Sequence, residues 1–229
     1  MRNTLMIATL LAFVLAGCQP KIQNLNVKQD HLSHTTGDWS IEVKHSVFSS
    51  SNPAANKSCE VLNGEIQKCL NELVDSLKAD ATEFFKTYAT DTTDRPIWTY
   101  ELVAGDSVFM ATDEYVSVLL TVYTFTGGAH GMTSFYAFNY DVKNQKLLSP
   151  KDIVNYSKEE AINTLLKAHF ENPDDCFTTD PTLDAVTTIN FNQKELCFTY
   201  AQYVLGAYAC GVAQIKIPRA ELKGNLLIH

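Results

Sequence analysis

The 229-residue sequence lacks the short motifs that identify many enzymes. It contains no Gly-x-Ser-x-Gly nucleophile motif, no His-Glu-x-x-His zinc motif and no phosphate-binding glycine loop followed by Lys-Ser or Lys-Thr. The Cys-x-x-Cys and His-x-x-x-His spacings that favour a metal site are also missing. We therefore predict a non-catalytic protein with no cofactor and no metal.

Basic residues are outnumbered by acidic ones. The chain has 18 Lys and Arg against 26 Asp and Glu, a formal charge of −8. Nucleic-acid phosphates require a basic face, so we predict no nucleic-acid partner. The acidic surface is compatible with a cationic partner, although net charge also serves solubility.

The first seventeen residues have the composition of a signal peptide. Arg2 precedes an apolar run, Leu5 to Leu15, that is too short to span a membrane. The run ends in Leu15-Ala16-Gly17-Cys18, which resembles the bacterial lipobox and implies lipidation of Cys18 with diacylglycerol. An ordinary cleaved signal with a chance cysteine is the alternative. Gln19 after the cysteine favours the outer membrane, so we expect a lipid-anchored protein of the cell envelope.

The remaining chain divides into a tether and a folded part. Residues 18–36 are mostly polar and are predicted to tether the lipid to the fold. Residues 37–229 are long enough for a sizeable core, with an N-terminal part of about 37–110 and a C-terminal part of about 111–229. Arg2 is the only charged residue before Cys18, so the mature chain has a formal charge of −9.

Cysteine use fits an exported protein, because disulfides persist outside the cytoplasm. An odd number of cysteines leaves at least one thiol free or paired between chains. On one continuous helix Cys59 and Cys69 would lie about 15 Å apart, too far to bridge, so they pair only if Cys59 precedes the helix. The pairing stays open among five candidates: Cys59, Cys69, Cys176, Cys197 and Cys210.

Hydrophobic periodicity predicts the main elements. Residues 62–88 have one apolar stripe at helical spacing, and residues 39–47 alternate as a strand does. The segment between them, 49–58, is rich in Ser and Asn and is predicted as a loop. Two aromatic and β-branched runs, 115–126 and 135–140, predict a long hairpin whose first strand is covered on both faces.

Shorter elements complete the prediction. Strands are expected at 96–103 and 107–111 around a turn at 104–106, and later at 187–191, 195–200 and 212–218. Ser149-Pro150 starts a short helix, and Ser157 with Glu160 predicts a capping box for the next one. In that helix His169 is interpreted as a core histidine. The fold class is α+β, with a mostly antiparallel sheet, one long helix and a second shorter helix packed on it.

Two loops contain the candidate binding residues. The first, at the hairpin end, carries Gly127, Gly128 and His130; the second carries Tyr203, Gly206 and Tyr208. An exposed His130 could act as a base or metal ligand if Asp113, Glu114 or His169 lay near it. The more ordinary interpretation is that His130 hydrogen-bonds the neighbouring backbone.

The order of these motifs resembles the RsiV-like extracytoplasmic domain. The resemblance rests on Tyr-x-x-Thr-Gly-Gly-Ala-His-Gly at 123–131, Leu-Leu-Ser-Pro-Lys-Asp-Ile at 147–153, Tyr-x-x-Gly-x-Tyr-Ala-x-Gly at 203–211 and Ile-x-Ile-Pro at 215–218. It covers about Trp39 to Leu222. Related domains occur in a lysozyme-sensing anti-sigma factor and beside the catalytic domain of some peptidoglycan deacetylases.

The resemblance implies a binding module for a cell-wall-related protein such as lysozyme, or for peptidoglycan. Val204 and Ala207 replace the Glu and Pro that the family often has in the second loop. The alternatives are a hydrolase or metal-dependent enzyme centred on His130, and a purely structural envelope lipoprotein.

Overall fold

The structure is a computed structural model that describes residues 22–89 and 93–228. The predicted signal peptide and Cys18 lie outside the described residues. The described α-helices are α1 (Pro53–Lys86), α2 (Pro150–Ile153) and α3 (Glu159–Ala168). The described strands are β1 (Asn26–Thr35), β2 (Trp39–Ser49), β3 (Tyr100–Ala111), β4 (Tyr115–Phe125), β5 (Met132–Asp141), β6 (Lys146–Leu147), β7 (Thr188–Phe191), β8 (Glu195–Tyr200) and β9 (Ala213–Pro218).

The strands form two sheets. The larger has the order β1-β2-β3-β4-β5-β6, and the smaller has the order β7-β8-β9. All pairs are antiparallel except β2 with β3. A parallel pair needs a crossover connection, and α1 supplies it between β2 and β3. The predicted α+β class is confirmed. Among the described residues, no helix is long and apolar enough to cross a membrane.

Helix α1 covers one face of the larger sheet. Its buried positions recur every three or four residues, as an amphipathic helix requires; they include Leu62, Ile66, Leu70, Val74, Leu77, Ala81 and Phe85. The helix begins nine residues before the predicted start. The side chain of Asn52 accepts hydrogen bonds from the N–H groups of Ala54 and Ala55, and Pro53 occupies the first turn. The loop prediction for 49–58 is therefore wrong from Pro53 onward. The polar composition of this segment favoured a loop, although Asn52 and Pro53 are a helix start signal.

Two strand predictions also need correction. The predicted turn at 104–106 lies inside the continuous strand β3, where Asp106 accepts hydrogen bonds from the N–H and hydroxyl of Ser46. The predicted tether is wrong for residues 26–35, because they form β1 and pair with β2 along their whole length. All ten residues of β1 are exposed, so the strand has no alternating pattern that a sequence could show.

The smaller sheet and α3 enclose a second core. Ile162 and Leu166 of α3 are fully buried in this core, together with Ile215 and Ile217 of β9. The predicted capping box at Ser157 is wrong, because Ser157 lies in a 3-10 turn that precedes α3. His169 does not lie in the core: its side chain is 28% exposed, and its Nε2 is 2.8 Å from Glu221 Oε2.

A buried polar network joins the two sheets. Ser117 on β4 donates to Asn139 Oδ1 on β5 and accepts from Asn190 Nδ2 and from the N–H of Phe191 on β7. The amide of Asn139 donates in turn to the carbonyl of Ile189 at 2.7 Å. Buried polar groups need such partners, so the network fixes how the sheets pack. The prediction that β4 is covered on both faces agrees with this packing.

Cys176 and Cys210 form a disulfide in the described part of the chain. Cys59 and Cys69 lie on the same helix and are unpaired, and Cys197 is a buried free thiol in β8. The early start of α1 explains why Cys59 cannot fold back to meet Cys69.

Candidate functional site

The structure brings the two predicted loops into direct contact. The first connects β4 to β5 and the second connects β8 to β9. The imidazole of His130 stacks on the ring of Tyr208, with centroids 3.8 Å apart and planes 14° apart. The hydroxyl of Tyr208 donates to the carbonyl of Gly131 at 3.0 Å. Residues 77 positions apart in the sequence therefore form one surface.

The hydrogen bonds fix the tautomer of His130. Its Nδ1 lies 3.0 Å from the carbonyl oxygen of Gly131, which can only accept, so Nδ1 carries the proton. In the neutral imidazole Nε2 is then the acceptor, and it faces the hydroxyl of Tyr203 at 3.4 Å. The sequence-based interpretation that His130 bonds the neighbouring backbone is confirmed. We call His130, Tyr203 and Tyr208 the loop cluster.

The loop cluster is held out toward solvent. Tyr203 is 57% exposed and its backbone adopts a φ of 70°, an uncommon conformation for a bulky residue. Its ring centroid lies 5.6 Å from that of Tyr208. His130 is exposed, and Tyr208 is half-buried beneath it. Such a strained, exposed aromatic residue is typical of functional surfaces.

Two glycines are required by close packing of the first loop. Gly127 has a φ of 97°, and a Cβ there would lie 2.6 Å from the ring of Trp98. A Cβ at Gly131 would lie 2.4 Å from the ring of Tyr123. Gly128 has a φ of 91° but faces open space. The glycine-rich sequence therefore lets the loop lie flat on two aromatic rings, which positions His130 at its end.

The disulfide anchors the second loop. Cys210 follows Tyr208 by two residues in a 3-10 turn and is bonded to Cys176. Gly206 forms a bridge with Phe177, and the carbonyl of Leu205 accepts the N–H groups of Thr178 and Thr179. The segment around Cys176 thus supports the second loop, which we call the tyrosine loop because it carries Tyr203 and Tyr208.

Exposed acidic side chains lie in the same segment around Cys176. Glu171, Asp174 and Asp175 are exposed, and the last two immediately precede Cys176. Asp174 and Asp175 have φ values of 56° and 51°. The negative charges therefore lie along the segment that is tied to the tyrosine loop, where they favour a positively charged partner.

The loop cluster is separate from the principal cavities of the described residues. One cavity of about 450 Å³ lies beside the disulfide and is lined by Phe170, Phe177, Cys210 and Lys216 among others. The principal cavities of the described residues are lined by none of the three cluster residues. A protruding aromatic face of this kind suits contact with a macromolecule better than enclosure of a small ligand.

The carboxylates proposed to assist His130 are far from it. Asp113 and Glu114 precede β4, whereas His130 follows it. Eleven residues of strand separate the two ends by roughly 35 Å. Glu114 is paired with Lys143. The hypothesis that Asp113 or Glu114 orients His130 is therefore wrong. Among the described residues, no group of three or more His, Cys, Asp or Glu side chains is arranged to hold a metal.

Sequence reasoning named the cluster residues but missed what supports them. Trp98, Tyr123 and the Gly131 carbonyl determine where His130 lies, and none of them was a candidate. The available signal was the set Gly127, Gly128 and Gly131, which indicates positive φ or a close approach of the backbone but does not say which ring each glycine meets.

The chain is similar to known proteins in part of its sequence and in its fold. Residues 38–133, from β2 to the start of β5, match the family model described as deacetylase PdaC. A DUF3298-family protein of Bacteroides fragilis has a TM-score of 0.68 and 19% identity, over 90% of this chain and 95% of that one. A DUF3298-family protein of Pseudomonas aeruginosa has a TM-score of 0.57 and 21% identity, over 88% and 94%.

Among curated proteins, none matches the sequence of this chain. At these low identities the two crystal structures establish the fold alone. The chain is thus similar to the PdaC family model over residues 38–133 and shares its fold with proteins of the DUF3298 family.

Proposed function

We propose that this protein is a non-catalytic binding module of the bacterial cell envelope, anchored by lipid at Cys18. Its loop cluster contacts a basic, cell-wall-related protein, of which lysozyme is the representative, and peptidoglycan is the alternative partner. The observation that carries the proposal is the stack of His130 on Tyr208, which joins two distant loops into one exposed aromatic face.

The chemistry of this face supports a protein partner. Tyrosine rings provide large contact areas at low conformational cost, and they are enriched among the residues that dominate binding energy. The exposed hydroxyl of Tyr203 and the edge of His130 add directional hydrogen bonds. Since none of its three residues lines a principal cavity of the described residues, its contacts are those of a surface rather than of a small-molecule pocket.

The charge of the chain supports a basic partner. The mature sequence has a formal charge of −9, and the segment bonded to the tyrosine loop exposes Asp174 and Asp175. Opposite charges accelerate association, and added salt weakens this effect.

The test is a binding titration of the chain from Gln19 onward against a c-type lysozyme at low and high salt. The proposal predicts saturable binding at micromolar affinity or tighter that weakens with salt. Tyr203→Ala should weaken this binding with little change in melting temperature, because the ring is 57% exposed. Leu147→Ala is the control, since this 40% exposed residue lies on β6, beside the end of β5 that is far from the loop cluster.

The charge contribution has its own matched variant. Asp174→Asn and Asp175→Asn together remove two charges, and Asn tolerates the positive φ of these positions. Affinity should fall at low salt and converge with that of the unchanged chain at high salt. If the chain does not bind lysozyme but sediments with insoluble peptidoglycan, the partner is peptidoglycan and not a protein. Binding to neither would overturn the proposal.

A further inference from the structure

Strand β1 is the edge strand of the larger sheet in the described part of the chain. It pairs with β2 on one side, and no other described strand pairs with its outer side. The N–H of Thr36 donates to the carbonyl of Trp39 at 2.8 Å, so the backbone of residue 36 points toward β2. Because antiparallel strands alternate, the backbones of the odd-numbered residues Val27, Gln29, His31, Ser33 and Thr35 point away from β2.

One N–H group on the outward side of β1 bonds to a neighbouring side chain instead of to another strand. The N–H of His31 has no strand partner among the described residues and donates instead to Oδ1 of Asp30, the preceding residue, at 2.9 Å. All ten residues of β1 are exposed on both faces, and Val27 and Leu32 are 41% and 51% exposed. Long free edges of this kind readily add another strand.

We propose that β1 pairs antiparallel with β1 of a second copy of this chain, across a two-fold axis at Gln29. The backbone of Gln29 then lies opposite that of Gln29 in the second copy, and Val27 lies opposite His31. The N–H of His31 exchanges its bond to Asp30 for the carbonyl of Val27 in the second copy. The two larger sheets become one continuous sheet.

Charge complementarity favours a second copy of this chain as the partner of β1, and it favours this register. Lys28 and Asp30 lie two residues apart on one face of β1, and neither has an ion-pair partner among the described residues. With the axis at Gln29, Lys28 of each copy lies directly opposite Asp30 of the other. Directly opposed residues have Cβ atoms about 5 Å apart, within reach of an ion pair. Pairing releases the carboxylate of Asp30 from its own backbone at the same time.

The neighbouring registers lack this complementarity. An axis at Asp30 would place the two copies of Asp30 opposite each other, which is destabilising. An axis at His31 would place Lys28 opposite His34 and Asp30 opposite Leu32. Only the axis at Gln29 pairs opposite charges twice, so the ion pairs determine the register while the backbone supplies most of the contact.

The first test measures the mass of the chain from Gln19 onward by sedimentation equilibrium over a range of concentrations. We expect a reversible dimer. Lys28→Asp or Asp30→Lys alone places like charges opposite each other and should raise the dimer dissociation constant about tenfold. The double variant Lys28→Asp/Asp30→Lys restores both ion pairs and should restore the dimer. A chain that is monomeric at every concentration overturns the proposal.

The second test examines the register directly. Opposed residues of a hydrogen-bonded pair have Cα atoms about 5.5 Å apart, a distance that a disulfide spans. Gln29→Cys should therefore form a disulfide between copies under mild oxidation. Ser33→Cys, on the same face but away from the axis, is the matched control, and the unchanged chain reports any background from Cys69. A dimer that cross-links equally through both positions overturns the proposed register.

Discussion

The imidazole of His130 lies almost parallel to the phenol ring of Tyr208, and both residues bond to the same carbonyl, that of Gly131. One backbone oxygen thus accepts the Nδ1–H of the histidine and the hydroxyl of the tyrosine. The stack and the two hydrogen bonds make the two loops a single unit. Any change at one loop is therefore expected to affect the other.

Tyr208→Phe tests the hydrogen-bonding half of this unit. The variant keeps the ring stack and removes the donor to Gly131, so we expect a loss of about 1 kcal/mol in the free energy of unfolding, measured by urea denaturation. Tyr208→Ala also removes the stack and should cost a further 0.5–1.5 kcal/mol, approximately. Unchanged stability in both variants would show that the loops are held together elsewhere.

The sequence predicted the two loops because their strands are strongly patterned. The runs at 115–126 and 135–140 and the stripe of α1 are periodic over many residues, and the structure confirms them. Strand β1 could not be predicted in this way, since both of its faces are exposed and no alternation marks it. Backbone hydrogen bonds to β2 hold β1 in place, and such bonds do not require particular side chains.

The contacts of the site depend on long-range geometry that no local pattern encodes. His130 and Tyr208 were both candidates, but their stack requires the two sheets to meet through Ser117 and Asn190. The pairing of Cys176 with Cys210 was likewise one of several open arrangements. It depends on two irregular segments, where periodicity gives no information.

The disulfide should stabilise both the fold and the binding face. Replacing Cys176 and Cys210 by Ser opens a link of sequence separation 34, which should lower the free energy of unfolding by about 2–4 kcal/mol. Because Cys210 follows Tyr208 so closely, the affinity for the partner should fall as well. Cys69→Ser is the control, since this thiol is free and partly exposed. If affinity stays constant while the melting temperature falls, the disulfide serves the fold alone.

Asp152 is expected to link stability to acid pH. The ammonium of Lys146, followed by the hydroxyl and N–H of Ser149, lowers the pKa of the Asp152 carboxyl from 3.8 to about 2. Its stabilising contribution is therefore complete above the ordinary pKa and is lost as the pH falls through about 2. The side chain is 31% exposed, so solvent screening limits the contribution to about 0.5–1 kcal/mol.

Urea denaturation of Asp152→Asn at several pH values measures this contribution. The variant should be less stable than the unchanged chain at neutral pH, and the difference should shrink as the pH falls through about 2 and vanish below it. Asp75→Asn, which changes an exposed carboxylate on α1, is the control for the loss of one negative charge. A stability difference that persists at the acid limit would mean that Asp152 acts through packing and not through its charge.

Gly127 and Gly128 offer a matched test of how the first loop is positioned. Both have a φ above 90°, so an alanine is strained at either position by a similar amount, about 1 kcal/mol. Only at Gly127 would the new Cβ also meet the ring of Trp98, at 2.6 Å. Gly127→Ala should therefore destabilise the protein by about 1–3 kcal/mol more than Gly128→Ala, since the loop or the ring must move.

The same pair separates stability from binding. Displacing the loop from Trp98 moves His130 away from Tyr208, so Gly127→Ala should weaken partner binding at temperatures where the variant is still folded. Gly128→Ala should retain most of the affinity, because its Cβ faces open space. Equal losses of affinity in the two variants would show that the contact of the loop with Trp98 does not position the loop cluster. The loss would then come from backbone strain alone.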